Sequence, residues 1–382
     1  MSASASSSPT KDTGIASIPN PAGMPPLDMG DKHLSFFEFW PGWKFYWPIA
    51  IAMAFFIIRF RGFTLPTVTN PGFSFGGFCG ESKGQILDHG RHTLGNLIAP
   101  FILFRRTRAD AVFEAQMVME ALYKSGLDFP VVAKPDKGCR GAGVQPLYTI
   151  DHLKNYLKLY PVDQDIIFQK MVNSEGEAGI FYIREPGQAK GRIVSVTLKY
   201  FPYVIGDGQS TLEQLIDQSP RCYALRHIYR PRFTDRLQSV PPKGEKIRLA
   251  FAGNHSKGTI FRNGMDTITP LMEDMFDRLS QSISGFYMGR YDIRFDDYRR
   301  LQAGYPEFSI IEINGSGGEM THIWDSRTTL LQAWRDVIYQ FYMVWKIGAA
   351  MRKQGVKPTS IIDLWRAYRN EINLTKLYPP TL

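Results

Sequence analysis

Cysteine is scarce in this chain: Cys79, Cys139 and Cys222 stand far apart among 382 residues. An odd count at that spacing makes neither a disulfide framework nor a zinc pattern, and it suits a reducing compartment. The seven histidines are scattered, with no H-E-x-x-H helix, which excludes that class of zinc enzyme. Basic blocks are short and no nucleic-acid module is evident, so nucleic acid ranks last among partners. The start of the chain lacks the basic stretch and immediate apolar core of a secretory signal. What is present is a basic, folded protein: Lys+Arg 45 against Asp+Glu 36 gives a formal charge of +9. That balance favours an anionic partner such as a nucleotide or an anionic lipid.

Residues 1–33 are rich in Ser, Ala, Pro and Gly and are expected to be disordered. Residues 34–61 hold an aromatic-rich apolar segment. Its uncharged part, 45–58, would be about 21 Å as helix, short of a hydrocarbon core of roughly 30 Å. Extending it back to Phe36 takes in Glu38 and Lys44, both near one end, while Trp40, Trp43, Tyr46 and Trp47 resemble an interfacial belt. The segment reads as a single membrane anchor, spanning or re-entrant. Arg59, Arg61, Arg91, Arg105, Arg106 and Arg108 follow it and place the bulk of the protein in the cytoplasm. The expected address is a bacterial-type inner membrane, with the catalytic domain on the cytoplasmic side.

Residues 62–106 read as a linker punctuated by Asn70-Pro-Gly and Phe75-Gly-Gly-Phe, with Glu81 and Lys83 in a polar loop more readily than in a site. A helix is expected over 107–124 with Thr107 as cap, and another from Thr149 to Tyr160. Strands follow at 165–172, 179–184 and 192–199. Ser210 and Glu213 read as a capping box. Residues 221–236 carry five arginines, either a solvated face or a docking surface for anionic groups. Residues 325–350 and 360–372 read as C-terminal helices.

Two stretches carry chemistry. In the first, strand 131–134 delivers Lys134 to a loop in which Gly138, Gly141 and Gly143 let backbone N–H groups face phosphate oxygens. Lys137 and Arg140 add charge there. The lysine precedes the glycines, so this is no Walker A loop. In the second, strand 309–313 ends in Glu312 and Asn314, two apart and therefore on one face. Residues 288–296 alternate strictly, placing Arg290, Asp292 and Arg294 on one side. An antiparallel hairpin centred near Gln302 sets Asp292 opposite Glu312. Two carboxylates and an amide on one surface suit Mg²⁺, held also by waters and phosphates. Asp292 and Glu312 both read as strand-end residues outside any core.

Taken together, these pieces resemble the ATP-grasp superfamily, in particular ligases similar to D-alanine–D-alanine ligase and the ATP-grasp part of cyanophycin synthetase. The resemblance runs from about Phe129 to Gly318. It rests on V-V-A-K-P with the loop to Val144, V-I-G-D-G-Q-S-T-L-E-Q-L-I (204–216), S-V-P-P-K-G-E-K (239–246), and the Asp292 and Glu312 strands. It implies an α+β fold in which two subdomains of a 107–320 catalytic domain clamp ATP, with helices in 321–382 packed on it. Carried over, Lys134 holds the α/β phosphates and the loop covers the β/γ phosphates. Gln169, Lys170, Met171 and Val172 form the hinge beside adenine, Glu177 meets the ribose, and Asp292, Glu312 and Asn314 bind Mg²⁺ or Mn²⁺. Asn254 matches an Asn-x-Ser loop near an acyl phosphate. The arginine usual upstream of that loop is absent, with Ala250 and Phe251 in its place. Arg248, Lys257, Arg262 or Arg290 would serve instead.

The function so implied is a membrane-anchored carboxylate–amine ligase acting through an acyl phosphate, on small-molecule or lipid-linked substrates, with no nucleic-acid partner and compatible with a homodimer. A nucleotide-binding scaffold without chemistry and a phosphotransferase on the same clamp are the alternatives.

Overall fold

The computed structural model describes residues 21–27, 32 and 34–381. The first elements are α1 (Gly42–Phe60), α2 (Lys83–Leu94), β1 (Phe101–Arg105), α3 (Ala111–Lys124), β2 (Val131–Pro135), β3 (Gln145–Leu147) and α4 (Ile150–Leu159). Next come β4 (Asp165–Lys170), β5 (Gly176–Ile183), β6 (Arg192–Tyr200), β7 (Tyr203–Ile205), α5 (Leu212–Gln218), α6 (Pro220–Ala224) and α7 (Arg226–Tyr229). The rest are β8 (Lys246–Arg248), β9 (Ile260–Asn263), α8 (Pro270–Ser282), β10 (Met288–Phe295), α9 (Tyr298–Gln302), β11 (Phe308–Asn314), α10 (Leu330–Lys353) and α11 (Ile361–Thr375). The chain is mixed α/β with antiparallel sheets, and its described residues divide into two compact units, the smaller of them residues 202–249.

In the smaller unit, β7 pairs with β8, and Thr211 and Gln214 form the capping box of α5. The box therefore sits one residue later than Ser210 and Glu213. The basic face expected over 221–236 is largely consumed internally. Arg230 pairs with Glu213 at 3.2 Å and Asp217 at 2.7 Å, Arg236 with Glu245 at 3.2 Å, and Arg232 bonds the Leu249 carbonyl. With Arg221 also buried, these arginines serve the unit's own packing more than either a solvated face or a docking surface.

The larger unit contains two sheets, ordered β1-β4-β2-β3 and β11-β10-β5-β6-β9. Alternation over β10 places its charged residues on one face, as the sequence implies. The hairpin has the expected register: Asp292 lies opposite Glu312 and Arg290 opposite Asn314. A register shift after Asp292 then pairs Ile293 with Ile310, so Ile311 is the extra residue of a bulge. Helix α9 occupies the connection around the expected centre.

The region read as a linker is structured. Ser82 caps α2 by accepting from the Gln85 N–H, and β1 is the edge strand beside β4. Its glycines and prolines hide a tertiary anchor, Asn70, which is completely buried. The Asn70 amide donates to the carbonyls of Gly76 and Met288 and accepts from the N–H groups of Tyr287 and Met288, at 2.8–3.0 Å. This fixes the 62–80 segment to the start of β10. Helix α3 begins at Asp110, not Thr107; Thr107 instead donates its hydroxyl to Glu114, the buried partner of Arg106. Arg106 is thus a core ion pair and no topological signal. Helix α10 likewise begins later than expected, at a capping box of Thr329 and Gln332.

Helix α1 lies along α10. Phe45 and Ile49 join one buried cluster with Ala333 and Val337, while Phe56 joins another with Val344 and Trp345. The Trp334 indole donates to the Phe45 carbonyl and Arg352 donates to the Phe60 and Arg61 carbonyls, so contact runs the length of both helices. Of the expected disordered tail, residues 1–20, 28–31 and 33 lie outside the described residues. Residues 21–27 are held: Gly23 accepts from the Tyr298 N–H and Pro25 from the Tyr200 hydroxyl, both at 2.8 Å.

Asn70→Ala takes this partner from the Tyr287 and Met288 N–H groups and the Met288 carbonyl in a dry site, while Ser316 still holds the Gly76 carbonyl. It is expected to lower stability by about 3 kcal/mol, read as a fall in denaturation midpoint. A change within error would show that the anchor is dispensable.

Candidate active site

A cavity of about 570 Å³ opens in the larger unit between the two sheets, a size suited to a nucleotide-scale ligand. Its floor is an ionic lattice. Alternation along β5, β6 and β10 brings Glu177, Lys199, Arg290, Asp292 and Arg294 to one face. Lys199 Nζ lies 2.8 Å from Asp292 and 3.0 Å from Glu177. Arg290 meets Asp292 at 2.9 Å, and Arg294 meets Glu177 at 3.0 Å. Gly253 is required beside this lattice, because a Cβ there would fall 1.8 Å from Glu177 Oε1.

Burial disfavours each of these charges, yet their partners win. Lys199 and Arg294 hold Glu177 below the usual carboxylate range, and Arg290 and Lys199 hold Asp292 well below it. Asp292 is therefore a core residue, 3% exposed, and the expectation that it lies outside any core is corrected. Glu312 is more open, its side chain 28% exposed, and pairs with Lys83 at 2.9 Å.

Lys134 bridges the sheets, donating to Gln169 Oε1 at 2.7 Å and to the Ile311 carbonyl at 3.2 Å. Desolvation outweighs the attraction of Glu312 and Glu177 and lowers its pKa to about 8. The glycine-rich loop arches over the cavity, with Arg140 and Gly141 in successive left-handed conformations at φ 55° and 68°. Among the described residues, the N–H groups of 138–141 make no hydrogen bond. The C-terminal segment braces the loop. Tyr378 donates to the Lys137 carbonyl, Thr381 to the Gly141 carbonyl, and Gln145 to the Pro380 carbonyl.

Most of the expected site residues meet here. Lys134, Gly138, Arg140, Gly141, Gln169, Lys170, Met171, Val172, Glu177, Asn254, Arg290, Asp292, Glu312 and Asn314 all line the cavity. Lys137, Gly143, Lys257 and Arg262 do not. Lys137 and Gly143 present their carbonyls to tyrosine hydroxyls, of Tyr378 and Tyr156. The Arg262 guanidinium, buried, faces Asp325 at 3.6 Å and the Phe261 carbonyl. At the hinge, the N–H groups of Lys170 and Met171 bond the Pro100 and Pro130 carbonyls, and both Glu177 oxygens are in ion pairs.

The residues that sequence reasoning missed come from remote elements. Lys199 carries a weak signal, a charge near the end of a largely apolar strand. Glu81 and Lys83 came from the supposed linker, and Glu371 from α11 carried no local signal. Glu371 accepts from the Gly80 N–H at 2.8 Å. One oxygen of Glu81 is buried without a hydrogen bond. Desolvation, reinforced by Glu312 and Glu371 and opposed by Lys83, lifts its pKa to about 8. The opposite wall is aromatic: Trp324 stacks on His255 at 4.5 Å, and both Tyr46 and the Trp324 indole donate to Glu319.

The fit to a nucleotide and its metal follows from this donor set. Unbonded loop N–H groups and Lys134 suit phosphate oxygens. Glu312 keeps one oxygen outside its Lys83 pair, and Asn314 donates its NH₂ to Asp292 at 3.0 Å, leaving its amide oxygen. Together with Asp292, whose oxygens a metal would share with Lys199, Arg290 and Asn314, these are hard oxygens of the kind that suits Mg²⁺. Among the described residues, no three His, Cys, Asp or Glu side chains converge as a metal site; the set needs the asparagine.

No family model matches the chain. It is 25% identical over 184 residues to the glutathione biosynthesis bifunctional protein GshAB of Streptococcus agalactiae, covering 42% of this chain and 23% of that protein. The match thus spans about a quarter of the relative's length. Among solved structures, D-alanine–D-alanine ligase from Bacillus anthracis aligns over 72% of this chain and 69% of its own, at TM-score 0.40 and 14% identity. The ATP-grasp ligase PsnB aligns over 68% and 59%, at TM-score 0.33 and 11% identity. The resemblance read from the motifs is borne out: the chain is similar to ATP-grasp ligases.

Two pH effects follow. Lys134 carries its charge below about 8 and loses it above, and a polyphosphate binds the charged form. ATP affinity should be flat up to neutral pH and fall toward tenfold per unit above pH 8, with the slope abolished in Lys134→Met. Calorimetric titration across that range decides it; an unchanged slope would assign the effect elsewhere. Glu81 ionises near 8 when folded against an ordinary 4.5. Its penalty on folding is absent at low pH and grows as pH rises between those values. Glu81→Gln should therefore raise the melting temperature by about 3 °C at pH 8 and by less at pH 5.5.

Proposed function

We propose that the protein is an ATP-dependent carboxylate–amine ligase working at a membrane surface. The observation that carries this reading is the convergence of unbonded loop N–H groups, Lys134 and the Asp292/Glu312/Asn314 set on one cavity. Lys134 and residues 138–141 hold the phosphates. Asp292, Glu312 and Asn314 would hold Mg²⁺, which supplies charge neutralisation on the phosphate oxygens when bound. The floor cations, fixed by Glu177 and Asp292, keep their orientation without reorganisation as charge shifts.

In the reaction, a substrate carboxylate oxygen bonds to the γ-phosphorus as the β–γ bridge breaks, releasing ADP. Asn254 and Arg290 line the cavity where the resulting acyl phosphate would sit. An amine then attacks its carbonyl carbon, inorganic phosphate leaves, and the amine gives up a proton to yield the amide. Glu81, protonated near neutral pH and with a free buried oxygen, is placed to receive a hydrogen bond from the acceptor.

Incubation with ATP, Mg²⁺ and a metabolite extract should release ADP and phosphate, and hydroxylamine should trap a hydroxamate. AMP and pyrophosphate would instead mean adenylation, and absence of substrate-stimulated hydrolysis would favour a nucleotide-binding scaffold. Glu312→Gln is the cleaner metal variant and should cut turnover at least about 100-fold at near-normal stability. Asp292→Asn, which breaks a buried ion pair, should also destabilise by on the order of 3 kcal/mol.

A further inference from the structure

Helix α1 has two apolar faces, and only one is covered. Trp43, Trp47, Ile51, Phe55 and Ile58 are 77%, 55%, 64%, 60% and 76% exposed. Their spacing of four, four, four and three residues is a single stripe along a helix. Proteins that act free in water seldom expose so long an apolar strip. The helix is long and apolar enough to cross a membrane, but its other face is packed against α10 from end to end. Crossing would carry α10 into hydrocarbon, together with Asp336, which pairs with His322, and Lys346, which pairs with Glu185. Charges of that kind are strongly disfavoured there.

The surroundings of the stripe identify what covers it. Between residues 36 and 63 the acidic side chain is Glu38, which is buried, whereas Lys44, Arg59 and Arg61 are exposed. Two tryptophans stand at one end of the strip and two arginines at the other. Apolar residues flanked by aromatic rings and cations, with no exposed carboxylate, match the boundary between acyl chains and anionic headgroups.

We propose that α1 seats the protein on an anionic lipid surface as an in-plane element, its Trp43–Ile58 stripe in the acyl boundary and its opposite face on the protein. This refines the membrane reading above and is independent of the ligase chemistry, because the stripe residues do not line the cavity. The same segment does reach the cavity through Trp40 and Tyr46, so a membrane-held amphiphile would have its headgroup beside the reactive site.

The test uses the full-length protein and flotation with phosphatidylcholine vesicles, with or without phosphatidylglycerol. Binding at least about tenfold tighter to the anionic vesicles, weakened by salt, is expected. The triple variant W47E/I51E/F55E should lose flotation while its ATP affinity stays unchanged. Spin labels at W43C, I51C and I58C, introduced after replacing the native cysteines, should report one common shallow depth; this reading stands even if the triple variant misfolds. A steady depth gradient along the roughly 28 Å helix would overturn the proposal in favour of a spanning anchor. Lack of flotation would also overturn it, as would a lipid-free dimer in light scattering that is abolished by the triple variant, which would assign the stripe to a second copy. Failure of ATP turnover with flotation intact would count against the ligase reading alone.

Discussion

A carboxylate under a sheet must be neutralised, and Asp292 is neutralised by two cations from different strands. Lys199 on β6 and Arg290 on β10 hold it, while Lys199 also reaches Glu177 on β5 and Glu177 in turn holds Arg294. Each charge is tolerable in a dry setting only because its neighbours are in place. The lattice therefore fixes the relative positions of three strands, and with them the direction in which Glu312 and Asn314 on the adjoining β11 face. Its stiffness is what a polyphosphate needs, since donors that are already oriented do not have to be organised during reaction.

The hairpin was legible because a two-residue period is a local property. Reading Asp292 opposite Glu312 required only alternation and a turn near Gln302. The glycine-rich loop was legible for the same reason. Glu371 was not: its helix shows an ordinary amphipathic pattern, and nothing in that pattern tells where its C-terminal half will dock. Residues 62–106 misled in the other direction. Glycine and proline broke every periodic signal there, while order came from Asn70, three of whose four hydrogen bonds go to groups remote in sequence. The burial of Asp292 was missed because its partner Lys199 lies 93 positions away.

In segment 34–61, on the membrane reading proposed above, composition would suit a medium without fixing a geometry. Its aromatic and apolar content is the same whether it crosses a bilayer or lies along it. The distinction depends on α10, whose apolar positions demand a partner and whose charges forbid immersion. Length and hydropathy contain neither piece of information.

Residues 378–381 reach back to the glycine-rich loop. Tyr378 and Thr381 bond carbonyls on either side of Arg140, and Gln145 answers by bonding Pro380. On the proposed nucleotide-binding role, an arch tied in this way would behave as a latched gate: opening it wide enough to exchange one spent nucleotide for another would mean releasing the C-terminal segment first. The pace of exchange would then be governed by how quickly that segment lifts. A chain trimmed before Tyr378 would retain every cation of the cavity floor, yet it would trade nucleotides faster and grip them more loosely.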